Sequence, residues 1–191
     1  MDRPDANTKT QEREARMEEF LVAPEPEPAF DDLAWLAAWI CGAPAGIIAI
    51  RDKGEPWLKA AVGLPANATE LTLELCARAL GSHKTLVLSD LDGYPGAGSE
   101  PPLRFFAGMP LVQPYGNRVG VLAVADVAPR KLGAEEEQRL ATVGKQILAQ
   151  MELRRLLAEL ASTIGERHDL ELALRASEER YRELVENAND I

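Results

Sequence analysis

Cysteine is scarce in this chain. Cys41 and Cys76 are the only two among 191 residues, and neither stands in CxxC or histidine spacing, so a zinc site and a disulfide framework are both excluded. Reduced thiols of this kind fit a cytosolic compartment. The opening MDRPDANTKTQEREARMEEF lacks the apolar core of a signal peptide, and no stretch approaches the roughly 20 apolar residues needed to span a bilayer. The expected localisation is cytoplasmic, without membrane contact by this segment. Basic residues are outnumbered, 21 against 31 acidic for a net charge of −10. That balance disfavours nucleic acid and anionic membrane as partners, because neither supplies a counter-charge. Catalytic signatures are missing as well: the chain has no nucleophile elbow, no phosphate-binding loop and no paired acid site. Neither a catalytic residue nor a metal ligand is expected.

What is present divides the chain by charge. Residues 1–28 carry 8 acidic and 4 basic side chains, residues 29–133 carry 10 and 9, and residues 134–191 carry 13 and 8. A nearly neutral centre between acidic flanks reads as a compact domain between solvated segments. Residues 1–23 form a polar segment with a short helix over Gln11–Phe20. The alternation Pro24-Glu25-Pro26-Glu27-Pro28 removes helix donors and predicts an extended spacer. Leu33, Leu36, Ala37 and Ile40 then recur at helical spacing, until Gly42 and Pro44 end the run.

From Ala45 the period becomes that of strands. Gly46–Ile50 and Pro56–Val62 flank Asp52-Lys53-Gly54-Glu55 and predict a hairpin. A helix over Leu71–Leu80 and a third strand over Thr85–Leu88 follow. The stretch from Asp92 to Pro102 is too dense in turn residues for a regular element, and loops of that length often bind ligands. Strands over Phe105–Val112 and Val119–Val127 are joined by the turn Pro114-Tyr115-Gly116-Asn117. Strands in hairpins with segregated helices predict an α+β domain on an antiparallel sheet.

Over residues 24–150 these features resemble the GAF family of sensory domains. The matching residues are Pro26–Leu33 with Leu36-Ala37-Ala38 and Gly42-Ala43-Pro44, then Trp57, Lys59 and Val62-Gly63-Leu64, then Leu75-Cys76-Ala77. Arg104–Leu111, Gly116, Gly120-Val121-Leu122, Asp126 and Pro129-Arg130 with Leu132 complete them. The resemblance implies a GAF-like antiparallel sheet of 5–6 strands, the sixth hidden between Leu91 and Leu103, with helices on one face. The other face would hold a small-ligand pocket or act as a relay without one. The Asn-Lys and Phe-Asp-Glu signature of cyclic-nucleotide GAF domains is absent, as are the linkage cysteine and Asp-Pro motif of the bilin type. Both ligands are disfavoured and the cofactor is left unknown.

Five residues are candidates for ligand binding. Cys76, on the central helix, could face a pocket, although a buried cysteine more often serves as a small apolar side chain. Tyr94, Arg104, Phe106 and Met109 flank the long loop, where a guanidinium, an aromatic ring and apolar walls could enclose a small ligand. The plainer reading makes Phe106 and Met109 sheet core and pairs Arg104 with Asp90 or Asp92. His168, in Arg167-His168-Asp169-Leu170, superficially resembles a kinase phosphoacceptor but reads as a solvent-facing helical residue.

After Gly133 no proline occurs to the end of the chain, and a long helix is expected with acids in its first turn. Leu140, Val143 and Ile147 step by three and four, as do Leu153, Leu157, Leu160 and Ile164, and again Leu170 and Leu174. These are heptad seams, slipped in phase between Ile147 and Leu153 and between Ile164 and Leu170. A parallel homodimer through Leu153, Leu157, Leu160, Ile164, Leu170 and Leu174 is expected, with residues 151–176 as a coiled-coil linker. The run SEERYRELVENANDI at 177–191 resembles the opening helix of a PAS domain. The sequence thus reads as the sensory and dimerisation module of a bacterial signalling protein, in the order found in sensor histidine kinases, relaying a signal to downstream domains. The alternatives are a ligand-free scaffold and, from the enzyme class, a thiol-based methionine sulfoxide reductase.

Overall fold

The computed structural model describes residues 27–52, 54–95 and 102–189, with side chains beyond Thr163 given at Ile164, Gly165, Arg167, Leu170, Glu171, Leu174, Arg175 and Arg180. The expected helix over 11–20 and most of the Pro-Glu spacer lie outside these residues, as does the side chain of His168. Two compact units divide the chain, Met1–Met151 and Glu152–Ile191.

In the first unit, helix α1 (Pro28–Ile40) precedes strands β1 (Ala45–Asp52) and β2 (Glu55–Val62), a 3-10 turn at Ala66–Ala68, helix α2 (Thr69–Gly81) and strand β3 (Leu86–Leu88). Strands β4 (Phe105–Val112) and β5 (Arg118–Asp126) lead to helix α3 (Ala134–Asn189). The five strands are antiparallel in the order β2-β1-β5-β4-β3. This order explains the sequence pattern. The three inner strands β1, β5 and β4 are apolar on both faces and read as nearly continuous apolar runs. The edges are protected differently: β3 is three residues long, and β2 carries Pro56, which an edge strand tolerates. No sixth strand occurs among the described residues. Between Leu91 and Leu103, the Leu91 N–H instead donates to the Arg104 carbonyl at 2.8 Å, extending the β3–β4 pairing by one bond.

Helices cover both faces, where the family resemblance implied one. On one face Phe30, Ala34, Ala37 and Cys41 meet Ile48, Ile50, Phe105 and Leu122, together with Leu140, Val143, Ile147 and Met151 of α3. On the other, Leu71, Leu75, Cys76 and Ala79 of α2 meet Ile47, Ala49, Phe106, Val121 and Ala123. Burying a side chain such as Phe105 or Phe106 contributes on the order of 1.5–3 kcal/mol, so these two layers dominate the stability of the unit.

The stripe that α1 buries differs from the expected one. Ala34, Ala37 and Ala38 are buried, while Leu33, Leu36 and Ile40 are only partly covered. The cause is a close crossing: a Cβ at Gly46 of β1 would lie 1.9 Å from the Ala34 carbonyl oxygen, so only small side chains fit beneath the helix. Helix α1 also begins at Pro28, earlier than the apolar spacing indicated, because a proline in the first turn costs no hydrogen bond. At the start of α3 the Gly133 N–H donates to the Glu136 carboxylate at 2.7 Å, half of a capping box.

Candidate functional site

The five candidate residues do not form one site. Cys76 and Phe106 are fully buried in the layer between α2 and the sheet. Met109 is three positions from Phe106 on the same strand and therefore points to the opposite face, where it packs against the α1 and α3 layer. A ligand touching Cys76 and Phe106 is separated from Met109 by the sheet itself.

Tyr94 reaches the rim of the α2 layer and is partly buried against it. Its hydroxyl accepts a hydrogen bond from Arg78 Nη1, and that guanidinium sits 5.3 Å from the ring centre. Arg104 is committed elsewhere: Nε and Nη2 grip the two Asp90 carboxylate oxygens at 2.7 and 2.8 Å, with Asp92 at 3.7 Å. The hydrogen bonds from Arg104 hold Asp90 down at about 2. The sequence left Asp90 and Asp92 open as partners for Arg104, and the fold uses both, closing the base of the long loop.

Thiol chemistry is poorly supported by these surroundings. Burial pushes the Cys76 thiol up to about 12, so it stays protonated at neutral pH. Burial, with a smaller contribution from Glu136, also raises Cys41, whose Sγ lies 3.9 Å from the Glu136 carbonyl oxygen. Among the described residues no cluster of histidine, cysteine or carboxylate side chains could hold a metal ion.

One polar group marks the α2 layer. Thr72, one helical turn before Cys76, is fully buried and its hydroxyl has no hydrogen-bond partner. An orphaned buried hydroxyl costs about 1–3 kcal/mol, which a ligand atom could recover. The residue is invisible to sequence reasoning, since a threonine in a helix carries no mark of its burial. A second feature had a readable signal: Trp35 and Trp39, four apart on α1, stack at 6.2 Å with an interplanar angle of 8° and are 56 % and 67 % exposed.

In structure, the chain is similar to the GAF domain of a proposed sensor histidine kinase from Pseudomonas syringae, with a TM-score of 0.54 and 21% identity, covering 82% of this chain and 99% of that one. The fold is that of GAF domains. The same fold carries an enzyme, the free methionine-R-sulfoxide reductase of Thermoplasma acidophilum, with a TM-score of 0.53 and 15% identity over 67% of this chain and 89% of that one. In sequence, the chain is 30% identical over 117 residues to a cyclic di-GMP phosphodiesterase of Pseudomonas aeruginosa. That match covers 58% of this chain and 20% of the relative, so the chain spans about a fifth of the relative's length. No protein-family model matches the chain. The GAF fold thus hosts both sensing and thiol chemistry, and the two deeply placed cysteines separate this chain from the second.

The second unit is the remainder of α3. Its ion pairs are local to the helix: Arg155 holds Glu152 at 2.7 Å and Glu159 at 3.2 Å, and Arg167 holds Glu171 at 3.2 Å. The seam residues are all exposed, from 52 % at Leu153 to 71 % at Leu170. No described helix is long and apolar enough to cross a membrane.

Proposed function

We propose that this chain is the cytoplasmic sensory and dimerisation module of a bacterial signal-transduction protein. In this reading the GAF-fold unit takes up a signal, and α3 passes it on through pairing with the same helix of a second copy. The observation that carries the reading is the change along α3. Leu140, Val143, Ile147 and Met151 are buried against their own domain, whereas Leu153, Leu157, Leu160, Ile164, Leu170 and Leu174 repeat at coiled-coil spacing with no domain to face. A stripe of that regularity is stabilised by a partner helix of the same pattern.

The similarity to a GAF domain of a proposed sensor histidine kinase supports a kinase as the output. The sequence relative favours a second output, cyclic di-GMP hydrolysis. ATP-dependent autophosphorylation against cyclic di-GMP hydrolysis by the full-length protein separates the two. The orphaned Thr72 hydroxyl supports a small-molecule ligand in the α2 layer, with Cys76, Phe106 and Tyr94 around it, over a scaffold without one. The phase slip between Ile164 and Leu170 would turn ligand binding into rotation of the PAS-like segment from residue 177, since a relay needs an element with two discrete arrangements.

Native mass spectrometry tests the reading. A dimer that becomes a monomer in Leu157→Lys/Leu160→Lys supports it, and additional bound mass supports the ligand. A monomeric native chain refutes the dimerisation role.

A further inference from the structure

Where the β1–β2 and β4–β5 hairpins turn, an open cleft of about 160 Å³ is lined by Arg51, Leu80, Gly116, Asn117 and Arg118. The topology brings its two guanidiniums together. Arg51 ends β1 and Arg118 begins β5, and these strands are antiparallel neighbours with Ile50 opposite Gly120. Arg51 Nη2 donates to Asn117 Oδ1 at 2.8 Å. Arg118 Nη1 donates to the Leu80 carbonyl at 2.9 Å, in the last turn of α2, and its Nη2 lies 2.8 Å from Nε2 and 3.2 Å from Nδ1 of His83.

The partners of Arg118 are the telling feature. A carbonyl and an imidazole accept from it, and among the described residues no carboxylate pairs with it. Arg104, Arg130, Arg139, Arg155 and Arg167 each hold a carboxylate. The carboxylates next to Arg51 in the chain, Asp52 and Glu55, stand opposite each other at the β1–β2 turn. In a chain with ten more acidic than basic residues, a half-buried guanidinium without an anion stands out, because a partly desolvated charge gains most from an opposite one.

We propose that this cleft binds the phosphoryl group of a small phosphorylated molecule. Two guanidiniums match the near-dianionic charge of a phosphomonoester at neutral pH, which a monocarboxylate would match only by half. Their planar forks suit several oxygens on one centre, and Gly116, at φ +84° with nothing within 4 Å of a Cβ position, leaves the mouth open. The cleft is small beside the roughly 300–1,000 Å³ that encloses a whole ligand, so the rest of the molecule extends into solvent. The site is independent of the sensory reading and of the α2 layer.

The test is titration of the full ¹⁵N-labelled chain with inorganic phosphate, phenyl phosphate and acetate, each against sodium chloride at matched ionic strength. Saturable shifts of the Gly116, Asn117 and Arg118 amides with both phosphates, weakened about tenfold or more in Arg118→Gln, are expected from the loss of one charge-assisted contact. Arg51→Gln leaves the Leu80 contact intact and should weaken binding similarly, which guards against a folding defect in the first variant. Shifts no larger than those with chloride, equal affinity for acetate, or unchanged affinity in Arg51→Gln would each overturn the proposal.

Discussion

Lys59 of β2 and Glu27, the residue that precedes α1, form an ion pair with Nζ 2.6 Å from Oε1, and the lysine side chain is 1 % exposed. The ammonium also lies 5.5 Å from the Phe30 ring and 5.7 Å from the Trp57 ring. The pair fastens the start of α1 to the edge of the sheet. Removing the carboxylate alone leaves the charge buried, which costs more than removing the charge itself. Glu27→Gln is therefore expected to lower unfolding stability by about 3 kcal/mol, and Lys59→Met by less, since methionine refills the volume. Urea denaturation of both variants checks the order; a smaller loss for Glu27→Gln than for Lys59→Met contradicts it.

Cys76 should be inert in the folded chain. With its thiol pushed up to about 12, iodoacetamide at pH 7.5 should modify it orders of magnitude more slowly than in urea-unfolded protein. The sign of the linkage follows from the raised value. The thiol favours the fold fully below its ordinary 9.0, and this contribution fades as pH rises from there towards 12, because the unfolded thiol ionises first. A Cys76→Ala variant should lose less stability than the native chain over that range. Rapid alkylation of native Cys76 would revive the reductase reading.

Asp90 runs the opposite way. Arg104 lowers it from 3.8 to about 2, so the pair favours the fold above pH 3.8 and the benefit disappears as pH falls towards 2. Asp90→Asn should melt below the native chain at neutral pH, and the two melting curves should converge between about pH 4 and pH 2. A gap that persists at pH 2 assigns the effect to something other than the charge.

Gly46→Ala tests the close crossing of α1 over β1. The new Cβ would meet the Ala34 backbone at 1.9 Å, and backbone on both sides cannot yield as a side chain would. A loss of about 3 kcal/mol or more is expected by chemical denaturation, at the upper end of overpacking penalties. Gly54→Ala, at a position with nothing within 4 Å but φ +98°, should lose only the smaller cost of backbone strain, on the order of 1 kcal/mol.

Much of the architecture was legible because it is local. The hairpin through Gly54, the turn before Asn117, the β4 span and the start of α3 all follow from turn chemistry and side-chain period, and each stands where that reading put it. The opposite facing of Phe106 and Met109 was also readable, since residues three apart on a strand cannot share a face. Grouping them in one site overlooked that parity.

The sequence by itself determined the strands, the helices and the α+β class, and it marked the stripe from Leu153 to Leu174 as apolar, because periodicity reports what each segment must bury or present. Only the tertiary structure decided that β5 lies at the centre of the sheet, that alanines rather than leucines line the α1 crossing, and that Arg104 is spent on Asp90 while Arg118 meets no carboxylate among the described residues. Those outcomes depend on which strands become neighbours and how closely layers approach. They are set by packing between residues far apart in the chain, and no local pattern encodes that.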